Sequence, residues 1–486
     1  MTDSQLSGTN LLTCPFSIPD PKASAPELLS RWSNTFVDSP PAVIITPNTE
    51  EDVVSAVSFA RLNSLTIVPT GGRHGSAIPI HSKILYLDLQ NLKAIELDKQ
   101  NAQVHFGGGT LTGDLLRHLS QEGYFTSIVN SNAVGVVGSF LGGGNTSVNG
   151  LVGWMADNIV SLRLVTASGD IVQLSPSSTG EELALFNVLC GAGHGLGVVV
   201  SATMRVFSLS SLNLSPASKE DPTPSIWNRT MIFPPTAIDS AVDAFLAFVP
   251  PPAPMNIVFG FSRGPPGTPL AGKPIIMLQG TYYGSASEAE ASPAGASLLH
   301  PSLAAKAIMA NTIQIPFHNV NNAIDPLNAH GGFKSMSSAR IATLSPPTLK
   351  STFAKYIAVT DKYPDSGRTA LMFHSFNPFK LTELGATPEG ADKFVEVRDR
   401  GFCTVGVSWS FEVATREALA AFFDDAVVTL QKDDEEAGLA PRVFPGIMKF
   451  LPGRRDLLPE EKLAELDRVH AKWNRDELFW NPYKAS

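Results

Sequence analysis

Charge is scarce in this chain of 486 residues: Asp, Glu, Lys and Arg make up only 17%, and the formal net charge is −9. No stretch gathers Lys and Arg, which argues against a nucleic-acid or anionic-membrane binder, because contacts to phosphates need clustered basic side chains. Cysteine is rarer still. Cys14, Cys190 and Cys403 lie far apart and show no CxxC spacing, so neither a zinc ribbon nor a disulfide framework is supported, and no metal is expected. No apolar run approaches the ~18 residues of a membrane span. Met1 to Asn10 carry neither the basic segment nor the apolar core of a secretory signal, which predicts a cytoplasmic protein with no membrane partner. Familiar catalytic signatures are missing too: there is no P-loop of the GxxxxGK type, no HExxH, no GxSxG and no GxGxxG that opens a helix after a strand. P-loop, zincin, serine hydrolase and Rossmann chemistries lose their main support.

What is present is globular and rich in turns, with 43% apolar residues, Gly 39 and Pro 37. The length is about three times that of one domain, so two packed domains are expected. From residue 42 to about 207, short β-branched runs alternate with amphipathic stretches. Strands are predicted over 42–46, 65–68, 84–87, 102–106, 160–167, 171–174 and 198–207, and helices near 112–121 and 181–189. Thr49, with Asp52 three residues on, caps a further helix whose inner face is Val53, Val54, Val57 and Ala60. Ser208 to Pro224 reads as a linker. A second α+β segment follows, with a strand over 275–283, a Pro-rich loop over 250–274, helices near 297–310, 346–360 and 415–431, and a strand over 403–411. A charged helix over 459–473 leads into the tail Trp473 to Pro482.

Three glycine clusters stand out: Thr70 to Ser76, Gly135 to Asn145 and Gly191 to Gly197. Any one of them could be a tight turn with positive φ. Together, in one well-patterned region, they favour a ligand with a diphosphate, because successive main-chain N–H groups in glycine turns form a nest that binds phosphate without net positive charge.

These clusters also carry a likeness. Val68 to Ser76, then Gly135 to Gly144, then Asp157 to Val160, then Leu185-Phe186 with the third cluster, resemble in order and spacing the flavin domain of the vanillyl-alcohol oxidase superfamily. Within it the berberine bridge enzyme-like oxidases look most similar, and Lys472 to Pro482 is similar to their closing motif. The resemblance covers residues 30–208 and 445–483 and is weak between. It implies an α+β, two-domain PCMH-type FAD-binding fold: residues 1–208 in the FAD-binding domain, 209–444 in an α+β substrate-binding cap, and 445–486 returning to the first domain.

The resemblance further implies FAD held by Thr70, Gly71, Gly72, Arg73, His74, Gly75, Ser76, Ser131, Val134, Gly135, Gly138, Ser139, Gly142, Gly143, Asn145, Ile159, Val199 and Asn481. One covalent histidyl link is implied at His74. The cysteinyl link of some relatives falls at Ser131 and is excluded by serine's chemistry. Val134 sits where a small residue in the family lets oxygen reach the reduced flavin and a bulkier one marks dehydrogenases. The family's usual base falls at Thr404, so a substitute must come from elsewhere; Tyr282 and His374 rank first, ahead of Tyr283, His318, Lys334 and Glu412. The expected activity is oxidation of a small, largely apolar alcohol or amine of the secondary-metabolite kind, with O2 as second substrate. Pocket-driven cyclisation with FAD partly structural is the alternative.

Overall fold

The computed structural model describes residues 6–447 and 454–484. No helix among the described residues is long and apolar enough to cross a membrane. A first, four-stranded sheet is formed by β1 (Phe16–Ser17), β2 (Val43–Ile45), β3 (Thr66–Thr70) and β4 (Ile84–Asp88), in the order β1-β2-β4-β3, with β2, β4 and β3 parallel. Parallel neighbours need a crossover helix, and Glu50–Leu62 supplies one. Its start is fixed by the capping box: Asp52 N–H donates to Thr49 Oγ1 at 3.2 Å and Thr49 N–H to Asp52 Oδ2 at 3.1 Å. Val53, Ala56, Val57 and Ala60 on this helix are fully buried against the sheet.

The second sheet is antiparallel and five-stranded: β5 (Ile95–Asp98), β6 (Gln103–Gly107), β8 (Ile159–Val165), β9 (Ile171–Leu174) and β10 (Val198–Arg205), in the order β5-β6-β10-β8-β9. The short strands β7 (Tyr124–Phe125) and β11 (Phe207–Ser208) pair as a separate two-stranded sheet. The largest apolar cluster packs on this sheet and includes Phe106, Phe140, Trp154, Phe186 and Met204.

The remaining strands form one nine-stranded antiparallel sheet: β12 (Ser215–Pro216), β13 (Pro224–Phe233), β14 (Met255–Arg263), β15 (Pro274–Tyr282), β16 (Met309–Pro316), β17 (Phe333–Ser337), β18 (Arg340–Ile341), β19 (Ala370–Ser375) and β20 (Phe402–Ser410). Helices Ile238–Leu246, Pro346–Lys362 and Val413–Glu436 bury Phe245, Phe353, Tyr356, Phe422 and Phe423 against one face of it. Its other face carries Met336, Met372, Val405 and Val407, which pack with Trp32 of the N-terminal region. That face, called the cleft face below, is turned toward the first half of the molecule at Trp32.

Three expectations for this region need correction. The Pro-rich segment 250–274 is not one loop: its prolines stand at its two ends, and the intervening Met255–Arg263 is a central strand buried for seven residues. The helix expected over 297–310 is broken because Pro293 and Pro301 each start a new short helix, after which the chain becomes β16. The linker expected over 208–224 contains β12, which pairs with the start of β13.

Candidate active site

The first glycine loop leaves the C-terminal end of β3, the edge strand of the first sheet. Thr70 pairs in register with Asp88 of β4, and Thr70 O accepts from Leu89 N–H at 2.8 Å. Beyond it the loop's carbonyls and side chains are tied from outside. Trp32 N–H donates to Arg73 O at 3.2 Å, the Arg31 guanidinium donates to Gly75 O, and Arg73, in the left-handed region at φ 61°, pairs with Asp88 at 2.6 Å. The amides are left free: none of the N–H groups of Gly71 to Ser76 donates to another group among the described residues.

The second loop lies directly against the first. A Cβ on Gly72 would stand 2.4 Å from Ala133 O and 2.5 Å from Gly135 N, and one on Gly135 would stand 2.9 Å from Gly72 N. Any side chain at either position would force the loops apart. Ser131 Oγ donates to Asn328 Oδ1 at 2.8 Å, which ties the second loop to the cap half of the chain. Val134 is half-buried, and its carbonyl accepts from both the N–H and Oγ1 of Thr112 at 2.9 Å. Gly138 is exposed with open space where a Cβ would be, and Ser139 Oγ donates back to Gly135 O at 2.9 Å.

His74 closes this cradle on one side. Its ring stacks on Trp32 with centroids 5.4 Å apart and planes 14° apart, and its Nε2 is shut off from water with no hydrogen-bond partner. Burial first, then the nearby His330 and Lys334, push its pKa down to about 3, so the imidazole is neutral at any physiological pH. Lys334 is fully buried on β17. Its Nζ donates to Trp32 O at 2.7 Å and to Ala329 O, and lies 3.9 Å from the centroid of Trp409 and 5.0 Å from that of Trp32. Burial and Arg368 push this amine down to about 7. A row of unpaired amides, two loops pressed together at Gly72 and Gly135 where no Cβ fits, and an orphaned imidazole suit a diphosphate cofactor whose far end reaches His74.

Strand alternation decides which cap residues face the cleft. On β20, Val405 and Val407 join Trp32, whereas a Cβ on Gly406 would meet Phe423 of the opposite face at 2.3 Å. Thr404 therefore points away from the cleft, where its Oγ1 accepts from Ala339 N–H at 2.7 Å. Thr404, where the resemblance puts the family's base, thus offers the cleft no base, and neither does its neighbour Val405. Tyr282 is corrected likewise: it belongs to the helix-side core with Ile276 and Leu278, and burial together with Glu288 raises its pKa. Tyr283, next in sequence, faces the other way, toward Ser147 and Phe317. His374 is half-buried on β19 and shares the parity of Met372, which places it on the cleft face; burial alone lowers its pKa to about 4.

Of the other implied cofactor contacts, Ile159 and Val199 put their side chains into the core, so only their main chain is available to a ligand. Gly142 and Gly143 face Gly446 and Phe444, and Asn145 Oδ1 accepts from Asn149 Nδ2 at 2.6 Å. Asn481 Oδ1 accepts from Tyr483 N–H at 2.8 Å, and its Cα lies 3.0 Å from where a Cβ of Gly195 would be. Sequence reasoning missed Trp32, Arg31, Asp88 and His330, which carry no motif of their own.

Residues 41–175 match the model of the FAD binding domain family, a span that contains both glycine loops. The FAD-linked oxidoreductase tazG of Aspergillus terreus is 27% identical over 469 residues, 93% of this chain and 88% of the relative. The FAD-linked oxidoreductase hasG of Aspergillus fumigatus is 27% identical over 76% of this chain and 73% of its own length. Among solved structures, the BBE-like 1 protein of Physcomitrella patens superposes with a TM-score of 0.76 at 16% identity, covering 98% of both chains. The xylooligosaccharide oxidase of Myceliophthora thermophila gives 0.73 at 19% identity, covering 98% of this chain and 97% of that one. The chain therefore carries an FAD binding domain over residues 41–175, is similar to FAD-linked oxidoreductases over most of its length, and shares the fold of the BBE-like 1 protein and the xylooligosaccharide oxidase.

Proposed function

We propose that this protein is an oxidase that takes hydride from a small, largely apolar alcohol or amine of the secondary-metabolite kind and passes the electrons to O2, giving H2O2. The observation that carries it is the apolar cleft wall of Trp32, Met336, Met372, Val405 and Val407 beside the free-amide cradle. Such a wall suits an apolar substrate better than a sugar, whose hydroxyls would be left unpaired there. Residues 1–208 with 445–486 are read as the FAD-binding unit and 209–444 as the cap.

When bound, FAD supplies the hydride acceptor. The chain's own residues do the rest. Gly71 to Ser76, with the second loop, would hold the diphosphate through main-chain N–H groups. His74, neutral and without a partner on Nε2, would carry the single covalent link to the flavin, with Ser131 unable to form a second. His374 would accept the proton that leaves the substrate. Because its pKa is about 4, it stays in the accepting form across the neutral range. The kcat/KM profile should therefore be flat above about pH 5 and fall as pH drops through about 4. Replacing His374 by Leu should cost about 10²-fold or more in kcat, measured by steady-state assay from pH 4 to 8. An unchanged rate and profile in the variant would remove His374 from this role.

Val134 bears on oxygen. In a close-packed interior one extra methylene can plug a path. Val134→Leu should therefore slow reoxidation by O2 more than reduction by substrate, and equal reoxidation rates in stopped-flow would refute the assignment. A second reading, cyclisation in the pocket with FAD partly structural, draws on the lack of a carboxylate at Thr404, where the resemblance puts the usual base. Bleaching of the flavin by candidate substrate without oxygen, and its return in air, separates the two.

A further inference from the structure

Lys334 is a buried amine to which the hydride and proton steps give no part. It is 0% exposed, and no carboxylate pairs with it among the described residues; the charged neighbour that acts on it, Arg368, is another cation. A lysine sealed inside without a counter-ion is costly to keep. Its surroundings are nevertheless those of an ammonium. Nζ donates to Trp32 O at 2.7 Å and to Ala329 O, and it lies over the electron-rich faces of Trp409 and Trp32.

What Lys334 grips is the platform under His74. Trp32 has three polar atoms and all are engaged: its main-chain N–H donates to Arg73 O at 3.2 Å, its indole Nε1 donates to Leu327 O at 2.9 Å, and its carbonyl takes the lysine. Beside it, Ser33 Oγ donates to Lys334 O at 2.7 Å and accepts from Lys334 N–H at 3.2 Å. Side chain and main chain of one cap residue are thus stitched to two successive residues of the N-terminal segment. The indole so fixed is the surface on which His74 stacks, with the planes 14° apart.

A nitrogen lone pair lies in the plane of its imidazole, so a ring free to rotate would seldom aim it at a fixed carbon. Stacking on an anchored indole removes that freedom. The positive charge of Lys334, with that of His330 and after burial itself, also disfavours the protonated imidazole. Both effects bear on whether His74 can bond to carbon. Neither touches the main-chain N–H groups of Gly71 to Ser76, so holding FAD and linking it are separable.

We propose that Lys334 is the positioning residue for the covalent link: by clamping Trp32 against His74 it sets the imidazole for bonding, and it makes the link depend on a seated cap. This rests on the reading of His74 as the linking residue. In the step, a nitrogen of His74 bonds to the flavin 8α carbon, and one C–H bond of that methyl group and one imidazole N–H bond break. The two electrons left on the flavin, with the two protons, go to O2 as H2O2.

The test uses the full chain expressed under riboflavin limitation and then given FAD. Bound flavin is read by absorbance, and linked flavin by acid precipitation and intact mass. Lys334→Met keeps the length of the side chain and removes its charge and donors; it should bind as much FAD as the wild type but link it about 10- to 100-fold more slowly. A general loss of structure would instead lower both. Since burial and Arg368 bring the ammonium to about 7, the wild-type linking rate should fall as pH rises through about 7, and the variant should lack that fall. Of the other titratable groups around Nζ, which are His74, His330 and Arg368, both histidines are pushed below their ordinary value, away from this window. A variant that links as fast as the wild type, or a wild-type rate that does not fall through this range, would overturn the proposal. A wild type that binds FAD but links none would overturn the histidyl reading and the proposal with it. If Lys334→Met does not fold, the wild-type pH profile decides.

Discussion

Deleting residues 473–486 should yield insoluble or flavin-free protein, although all three glycine clusters remain. The tail is stitched to the edge strand that presents the first loop: Ile67 N–H donates to Leu478 O at 2.7 Å and Trp480 N–H to Ile67 O at 3.4 Å, three residues before Thr70. Asn474 locks the turn by exchanging hydrogen bonds with the main chain of Phe479 at 2.9 and 3.0 Å. Leu478 and Phe479 enter the core of the first sheet, and Tyr483 enters that of the second, where its hydroxyl lies 3.3 Å from His194 Nδ1. Burying these three side chains contributes about 4.5–9 kcal/mol at roughly 1.5–3 kcal/mol each, comparable with the whole stability of a typical domain. Their loss would also uncover the β3 edge from which the cradle hangs. Stoichiometric FAD and an unchanged melting temperature in the truncated protein would show that the tail does not support the flavin site.

His74→Ala should leave a folded chain whose flavin, if bound, is released by acid, whereas the wild type keeps its flavin through acid precipitation. Its Nε2 is out of water, and burial holds the imidazole neutral, so that nitrogen's lone pair is free to bond to carbon rather than to a proton. Trp32, itself anchored to Lys334 through its carbonyl, fixes the ring plane. A histidyl link also withdraws electron density from the flavin and raises its reduction potential. Intact mass reads the result: the wild type should exceed the bare polypeptide by one FAD and the variant should not. A wild-type mass equal to the bare chain would refute the link while leaving FAD binding in place.

The flavin half was far more legible than the cap. Thr49 with Asp52, the β-branched strands and the glycine clusters are local signals that depend on neighbours in sequence. The cap's chemistry depends on parity, and parity is hidden when both faces of a strand are buried. All nine residues of β20 are buried, so no polar alternation marks whether Thr404 or Val405 faces the cleft. Tyr282 and Tyr283 pose the same problem, because adjacent residues on a strand face opposite ways. Arg340 and Lys334 lie in apolar surroundings and reach partners that local patterns do not reveal; Lys334 and Trp32 are 302 positions apart.

The oxidase reading meets its most direct test in the reaction of the reduced protein with oxygen. The full chain, reconstituted with FAD if necessary, is reduced without air by dithionite and mixed with oxygenated buffer in a stopped-flow spectrophotometer, with peroxide assayed at the end. Complete return of the oxidised flavin spectrum within seconds, with one H2O2 per flavin, is the expected result. A flavin that stays reduced for many minutes in air, or that reoxidises without peroxide, would contradict it.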